Sequence, residues 1–465
     1  MDRRSNRHAG ARAPIVPLML LLASCSANSP SADQSGTHET GEADESLDPL
    51  SMPSEPTLSA ASFNPAHICA SCHPNHFMEW QLSRHARSMQ DPVYRALVAL
   101  RRDHLGGASD QFCTQCHSTI CTRGGECGSG FVFEELSPIA LEGVTCESCH
   151  KISAIVRPYN AGHELDPSGP LRGPIVDPVE NGFHASEHAA YFDESPICGS
   201  CHDVISLSGL VLEQPYAEWL GSPANPDQPC QSCHMPTYSG KAAVLGPERD
   251  NLHRHRFVGV DLPLEGDVDE ATLAELDAEV EALLVGSATV ELELPDAVAG
   301  GRRLEFRVAV ENRIAGHAFP TGSTFIRQAW VELRVVDAEA NLLYATGQLD
   351  SEGDLCDRWS TVAPSSDPDL VLLSSGFTDA HGSPELFSWR AAEHGSNALA
   401  PLERRSFARS VAIPADVVGP LRIEAILHFR SHPPFLLRML GLDELVRLAV
   451  VRDVASASGS VEIRG

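Results

Sequence analysis

Apolar positions in the C-terminal part of the chain follow two periods, and the switch between them divides it. Leu273, Leu276, Val280 and Leu283 recur at helical spacing, which predicts a helix from about Glu270 to Leu284 with one apolar face. From Val290 onward the period becomes two. Val290, Leu292 and Leu294 alternate with Glu291 and Glu293. After a Gly300-Gly301 turn, Leu304, Phe306, Val308 and Val310 alternate with Glu305, Arg307, Ala309 and Glu311. Val331, Leu333 and Val335 repeat the pattern. Further strands fit Phe407 to Ile413, Leu421 to Arg430 and Leu448 to Val454, with one short helix near Leu436 to Leu445. Residues 286–465 thus read as an antiparallel β-sandwich domain, entered through a connecting acidic helix over residues 261–285.

The earlier part of the chain has no such periodicity. Residues 63–260 hold few aliphatic runs. Their long irregular connections, Ser118 to Leu141 and Arg157 to Asn181 among them, would leave an ordinary domain without a core. Residues 26–62 are rich in Ser, Pro, Asp and Glu, contain no Lys or Arg, and read as a disordered acidic tether. Before them, Arg3, Arg4 and Arg7 precede an apolar run, Ile15 to Leu22, that is too short to span a bilayer. Residues 1–25 therefore read as a signal peptide. Leu22-Ala23-Ser24-Cys25 resembles a bacterial lipoprotein box, which implies cleavage before Cys25 and lipidation of its thiol. Either an ordinary or a lipoprotein signal exports the chain, to the periplasm or cell surface of a bacterium.

The cysteines supply what the apolar pattern lacks. Cys-x-x-Cys-His occurs five times: Cys69, Cys72 and His73; Cys113, Cys116 and His117; Cys146, Cys149 and His150; Cys198, Cys201 and His202; Cys230, Cys233 and His234. Two thiols at this spacing add to the two vinyl groups of a haem and set the following imidazole under the iron as proximal ligand. Zinc ribbons also use Cys-x-x-Cys pairs, but they need no histidine directly after the second cysteine, and here all five pairs have one. The expected cofactors are five haem c groups. Macrocycles fixed by thioether bonds would form most of the core of residues 63–260, a mainly α and irregular pentahaem domain. Cys121 and Cys127 stand outside the motifs and predict a local disulfide, which leaves Cys356 unpaired.

The formal charge of −29 excludes nucleic acid as a partner and points to redox proteins with basic docking patches. No stretch after the signal approaches the length of a membrane helix, so the expected membrane contact is through the lipid alone.

Each iron also needs a sixth ligand or an open face, and histidine abounds outside the motifs while methionine totals seven. Glu79-Trp80-Gln81-Leu82-Ser83-Arg84-His85-Ala86 resembles the Trp-x-x-Ser-x-His-Ala segment of multihaem cytochromes of the cytochrome c554 and hydroxylamine oxidoreductase type. Asn181 to His188, His253 to Gly259, and Asn312 to Gly322 resemble further ligand-donating segments of that family. The resemblance runs from about Cys69 to Gly322 and implies His85, His184, His255 and His317 as distal ligands, the last from the sandwich. His163 and His188 are the candidates for a fifth, with His67, His76 and His104 behind them; otherwise one haem is five-coordinate. The expected function is electron transfer outside the cytoplasm. The alternative is an oxidoreductase whose one open haem acts on a small nitrogen or sulfur species, and a filament subunit is the third. There is no Cys-x-x-Cys-Lys motif like that of the ammonia-forming nitrite reductases, and five haems are fewer than hydroxylamine oxidoreductases carry, so no catalytic residue is assigned.

Overall fold

The computed structural model describes residues 56–264 and 268–464; the signal segment, Cys25 and the tether as far as residue 55 lie outside the described residues. Two sheets pack face to face in the C-terminal part. One has three strands, with Arg303–Asn312 between Arg404–Ala412 and Ala288–Glu293. The other runs Ala297–Ala299, Arg452–Arg464, Leu421–Arg430, Gln328–Val336, Leu342–Thr346, and Val371–Leu373 also pairs with Gln328–Val336. The alternation read from the sequence sets the inward face: Leu304, Phe306, Val308 and Val310 are buried against Val331, Leu333, Val335, Ile423 and Leu427.

Three expectations need adjustment. Ala297–Ala299 pairs parallel with Arg452–Arg464, so the sandwich is not wholly antiparallel. The last strand is Arg452–Arg464, not Leu448 to Val454; residues Asp443–Leu448 form a 3-10 turn after a short helix, Pro434–Met439. Pro433 and Pro434 start that helix earlier than its apolar residues suggest, because proline suits a first helical turn. The acidic helix spans Glu270–Val285 and is capped by the Asp269 carboxylate, which accepts from the Ala271 and Thr272 amides. Its buried stripe is Leu276, Val280 and Leu284, while Leu273 and Leu283 are only half-buried.

The motif-bearing part is a set of short helices and two-stranded ladders wrapped around a large cavity. It includes residues before 63: the Leu58 amide donates to the Arg123 carbonyl, and Ala60 is buried. Gly124 makes this possible, since a Cβ there would stand 2.6 Å from the Ala60 nitrogen. Cys121 and Cys127 form the expected disulfide. Pro92–Leu105, the longest helix here, has Asp91 as its cap and Gly106 in the left-handed region at its end. Its Val93 and Leu97 pack on Leu437 and Leu436 of the sandwich's short helix. Asp261 pairs with Arg327 at 2.8 Å. The two parts thus share apolar and ionic contacts.

Candidate haem sites

Four of the motifs lie on short helices: Gln111–His117, Cys146–His150, Pro196–His202 and Cys230–His234; in the first, His73 caps the helix Pro74–Gln81. One helical turn brings both thiols and the histidine of each motif to the same face. All five motifs line one cavity of about 2080 Å³, whereas a site for one small molecule measures about 300–1,000 Å³. Its walls carry apolar side chains that the polypeptide leaves uncovered, among them Phe183 at 77% exposure and Leu245 at 86%. An apolar body in the cavity would cover them, as a set of macrocycles does.

The motif histidines are aimed by their inner nitrogens. Nδ1 of His73, His150 and His234 donates to the carbonyls of Ala242, Arg172 and Val258 at 2.7, 2.5 and 2.9 Å. Each bond fixes the tautomer and leaves Nε2 with a lone pair, as a metal ligand requires. His255 and His317 are arranged alike, through the carbonyls of His253 and Ala318, both at 2.9 Å. Burial, aided by His202, lowers His85 to about 4. Burial, with His76 and His150 adding to it, lowers His255 to about 3, and burial lowers His317 to about 4. These imidazoles are neutral, which is their ligating form.

The rings then pair. His73 faces His184 with centroids 6.3 Å apart, His85 faces His202 at 6.0 Å, His150 faces His255 at 6.4 Å, and His234 faces His317 at 6.3 Å. An iron takes an imidazole nitrogen at about 2 Å, and the ring centre lies roughly 1.1 Å behind it, so two rings across one iron stand roughly 6.2 Å apart. All four histidines implied by the resemblance therefore sit opposite motif histidines, at the separation an intervening iron sets. His76 also lies 6.3 Å from His73, but its Nε2 is 3.2 Å from the Tyr238 hydroxyl.

The remaining candidates are elsewhere. His163 is buried beside Cys201, with Nδ1 donating to Ser200 Oγ at 3.0 Å, and faces no motif histidine. His188 is exposed in the short ladder with Leu171–Gly173. His67 is exposed, and His104 accepts from Trp389 Nε1 at 3.1 Å. Among the described residues, no histidine ring stands opposite His117.

The backbone holds the ligand-bearing loops by close fits. Gly143 has φ +71°, and a Cβ there would lie 2.3 Å from Ser88 Oγ and 2.5 Å from the His85 carbonyl, which accepts from the Val144 amide at 3.0 Å. Glu142 accepts from the Ala66 amide and Thr145 Oγ1, and Glu147 from both nitrogens of Asn64; together they tie the third motif to the residues before the first. The His317 loop is held by Glu218, which accepts from the Ala318 amide at 3.0 Å and Thr321 Oγ1 at 2.6 Å. Sequence reading missed this clamp, since no spacing relates Glu218 to the loop.

Thiols of different motifs also meet. Cys69 lies beside Cys146, Cys116 beside Cys201 and Cys198 beside Cys230, and Cys149 lies near Cys201. The fourth motif thus adjoins the second, third and fifth, and the third adjoins the first.

Residues 68–151 match the family described as cytochrome c554 and c-prime. No curated protein matches the sequence. The crystal structure of a penta-haem cytochrome c552 from Thermochromatium tepidum aligns with a TM-score of 0.61 and 20% identity, over 86% of this chain and 99% of that one. A CARDB domain from Pyrococcus furiosus (TM-score 0.17, 14% identity, 38% of this chain and 87% of that one) and a superoxide reductase from Ignicoccus hospitalis (0.16, 15%, 40% and 90%) align too weakly to bear on the fold. Residues 68–151 thus match the cytochrome c554 and c-prime family, and the chain has the fold of a penta-haem cytochrome with a C-terminal β-sandwich.

Proposed function

We propose that the protein carries five covalently bound haems and transfers electrons among them outside the cytoplasm. The observation that carries this reading is the set of four histidine pairs at 6.0–6.4 Å. Irons held by two imidazoles have low potentials and no free position, as suits electron carriers. His73 with His184, His202 with His85, His150 with His255, and His234 with His317 would hold four of the irons, and the ten motif cysteines would hold the macrocycles. Because thiols of different motifs are neighbours, a path through haems held there would be branched at the fourth motif, which the first reaches through the third. Haem supplies the one-electron chemistry; the polypeptide fixes its ligands, covers its faces and joins its edges.

An exported lipoprotein anchored through Cys25 is the corresponding location, with basic redox proteins as partners for a chain of charge −29. A second function is supported by one observation: His117 has no histidine opposite it among the described residues. An iron there with an open face is a place for a small nitrogen or sulfur species to bind and be reduced or oxidised, with the other haems conducting.

The intact mass of the mature protein tests the haem count and the anchor together. The expected result is a chain starting at Cys25 with a lipid and five haem additions. Fewer haems would contradict the count, and a chain without lipid would contradict the anchor.

A further inference from the structure

His117 is held differently from the motif histidines of the first, third and fifth sites. His73, His150 and His234 reach backbone carbonyls at 2.5–2.9 Å, but His117 Nδ1 is 3.4 Å from the Ser88 carbonyl. At that length the bond transfers little charge. Tyr94 lies flat against the imidazole instead, with centroids 4.0 Å apart and planes within 11°. Phe192 stacks on His150 more distantly, at 5.3 Å, and there the 2.5 Å carbonyl bond is also present. Tyr94 is itself fixed: it is buried, its amide donates to the capping Asp91 carboxylate at 2.7 Å, and Phe133 meets it edge-on. Its hydroxyl has no hydrogen-bond partner among the described residues, so the ring makes the contact.

We infer that Tyr94 is a positioning residue for His117, holding by stacking an imidazole that the first, third and fifth sites hold by a short Nδ1 bond, and that a haem there would have the highest potential of the set. A strong bond from Nδ1 gives the imidazole anionic character and stabilises ferric iron; a weak one withdraws that support. The absence of an opposing imidazole acts in the same direction. Electrons entering the branched path would then collect on this iron. The inference rests on the ligation proposed above.

The test is a spectroelectrochemical titration of the full haem-loaded protein, followed by electron paramagnetic resonance (EPR). In the unaltered protein, the high-spin haem is expected to be reduced before the low-spin ones; reduction after them overturns the inference without any variant. Tyr94→Phe keeps the ring and should leave that haem's midpoint and line shape unchanged. In Tyr94→Leu the imidazole is free to close on the Ser88 carbonyl. The ferrous-to-ferric ratio of this one haem should then fall roughly fivefold at fixed potential, the worth of one ordinary hydrogen bond. An unchanged midpoint in Tyr94→Leu with all haems attached overturns the inference, as does an equal shift in Tyr94→Phe, which would assign the role to the hydroxyl. If the unaltered protein shows no high-spin haem, the open-site reading itself fails.

Discussion

His317→Ala is expected to convert one haem from low-spin to high-spin and to open a site for carbon monoxide in the reduced protein, with every haem still attached. His317 belongs to the sandwich, yet its ring lies 6.3 Å from His234 of the fifth motif, with the planes 26° apart. The thiols that would attach that haem, Cys230 and Cys233, are untouched by the substitution. Glu218 still accepts from Ala318 and Thr321, and Asn312 Nδ2 still donates to the carbonyl of residue 317, so the loop keeps its course without the imidazole. The effect should be confined to one iron. Low-temperature EPR of the oxidised variant checks it: an unchanged number of low-spin haems would mean that His317 is only a loop residue.

The second large effect is expected at a residue that touches no haem. Gly143→Ala places a methyl group against Ser88 Oγ and the His85 carbonyl, at a φ that disfavours side chains. The combined strain and overpacking cost is about 3 kcal/mol. The neighbours that must yield are the backbone of His85 and Ser88, whose hydroxyl lies within hydrogen-bonding distance of the carbonyls of His85 and His117. The variant should therefore lower the thermal midpoint by several degrees and weaken the ligation of the fourth haem, seen as partial high-spin character at that site. A thermal midpoint and spectrum identical to those of the unaltered protein would show that the loop adjusts freely.

Much of this was legible in the sequence, for reasons that also mark where legibility stops. The five motifs are local patterns, and attachment chemistry dictates their spacing, so they read directly. The sandwich strands also read directly, because Leu304 to Val310 and Leu421 to Arg430 each present one face to a common core. His85, His184, His255 and His317 are proposed from resemblance to ligand-donating segments and not from any spacing. Each lies far along the chain from the motif histidine it faces, and only the folded chain reveals the partner.

The second and third motifs, and the fourth and fifth, are joined by short segments, Cys113 to Cys146 and Cys198 to Cys230. Thiol contact occurs for the fourth and fifth, but Cys116 meets Cys201 and Cys146 meets Cys69. A short connection limits the distance between two haems and does not choose which edges meet. Gly143, Glu218 and Tyr94 were likewise invisible, since a glycine, a carboxylate and an aromatic ring gain their roles from what the fold puts beside them. The packing of Leu58 and Ala60 escaped notice because composition alone cannot show that Gly124 makes room for Ala60.

The central claim is that four irons are closed by histidine pairs and the fifth, on His117, is not. Quantitative EPR of the oxidised, haem-loaded protein tests it most directly. The account predicts four low-spin haems and one high-spin haem per chain, the high-spin signal persisting in His85→Ala and His317→Ala beside a second one created by each substitution. Five low-spin haems in the unaltered protein would contradict it, as would a high-spin signal that disappears when His117 is left intact and only the paired histidines are changed.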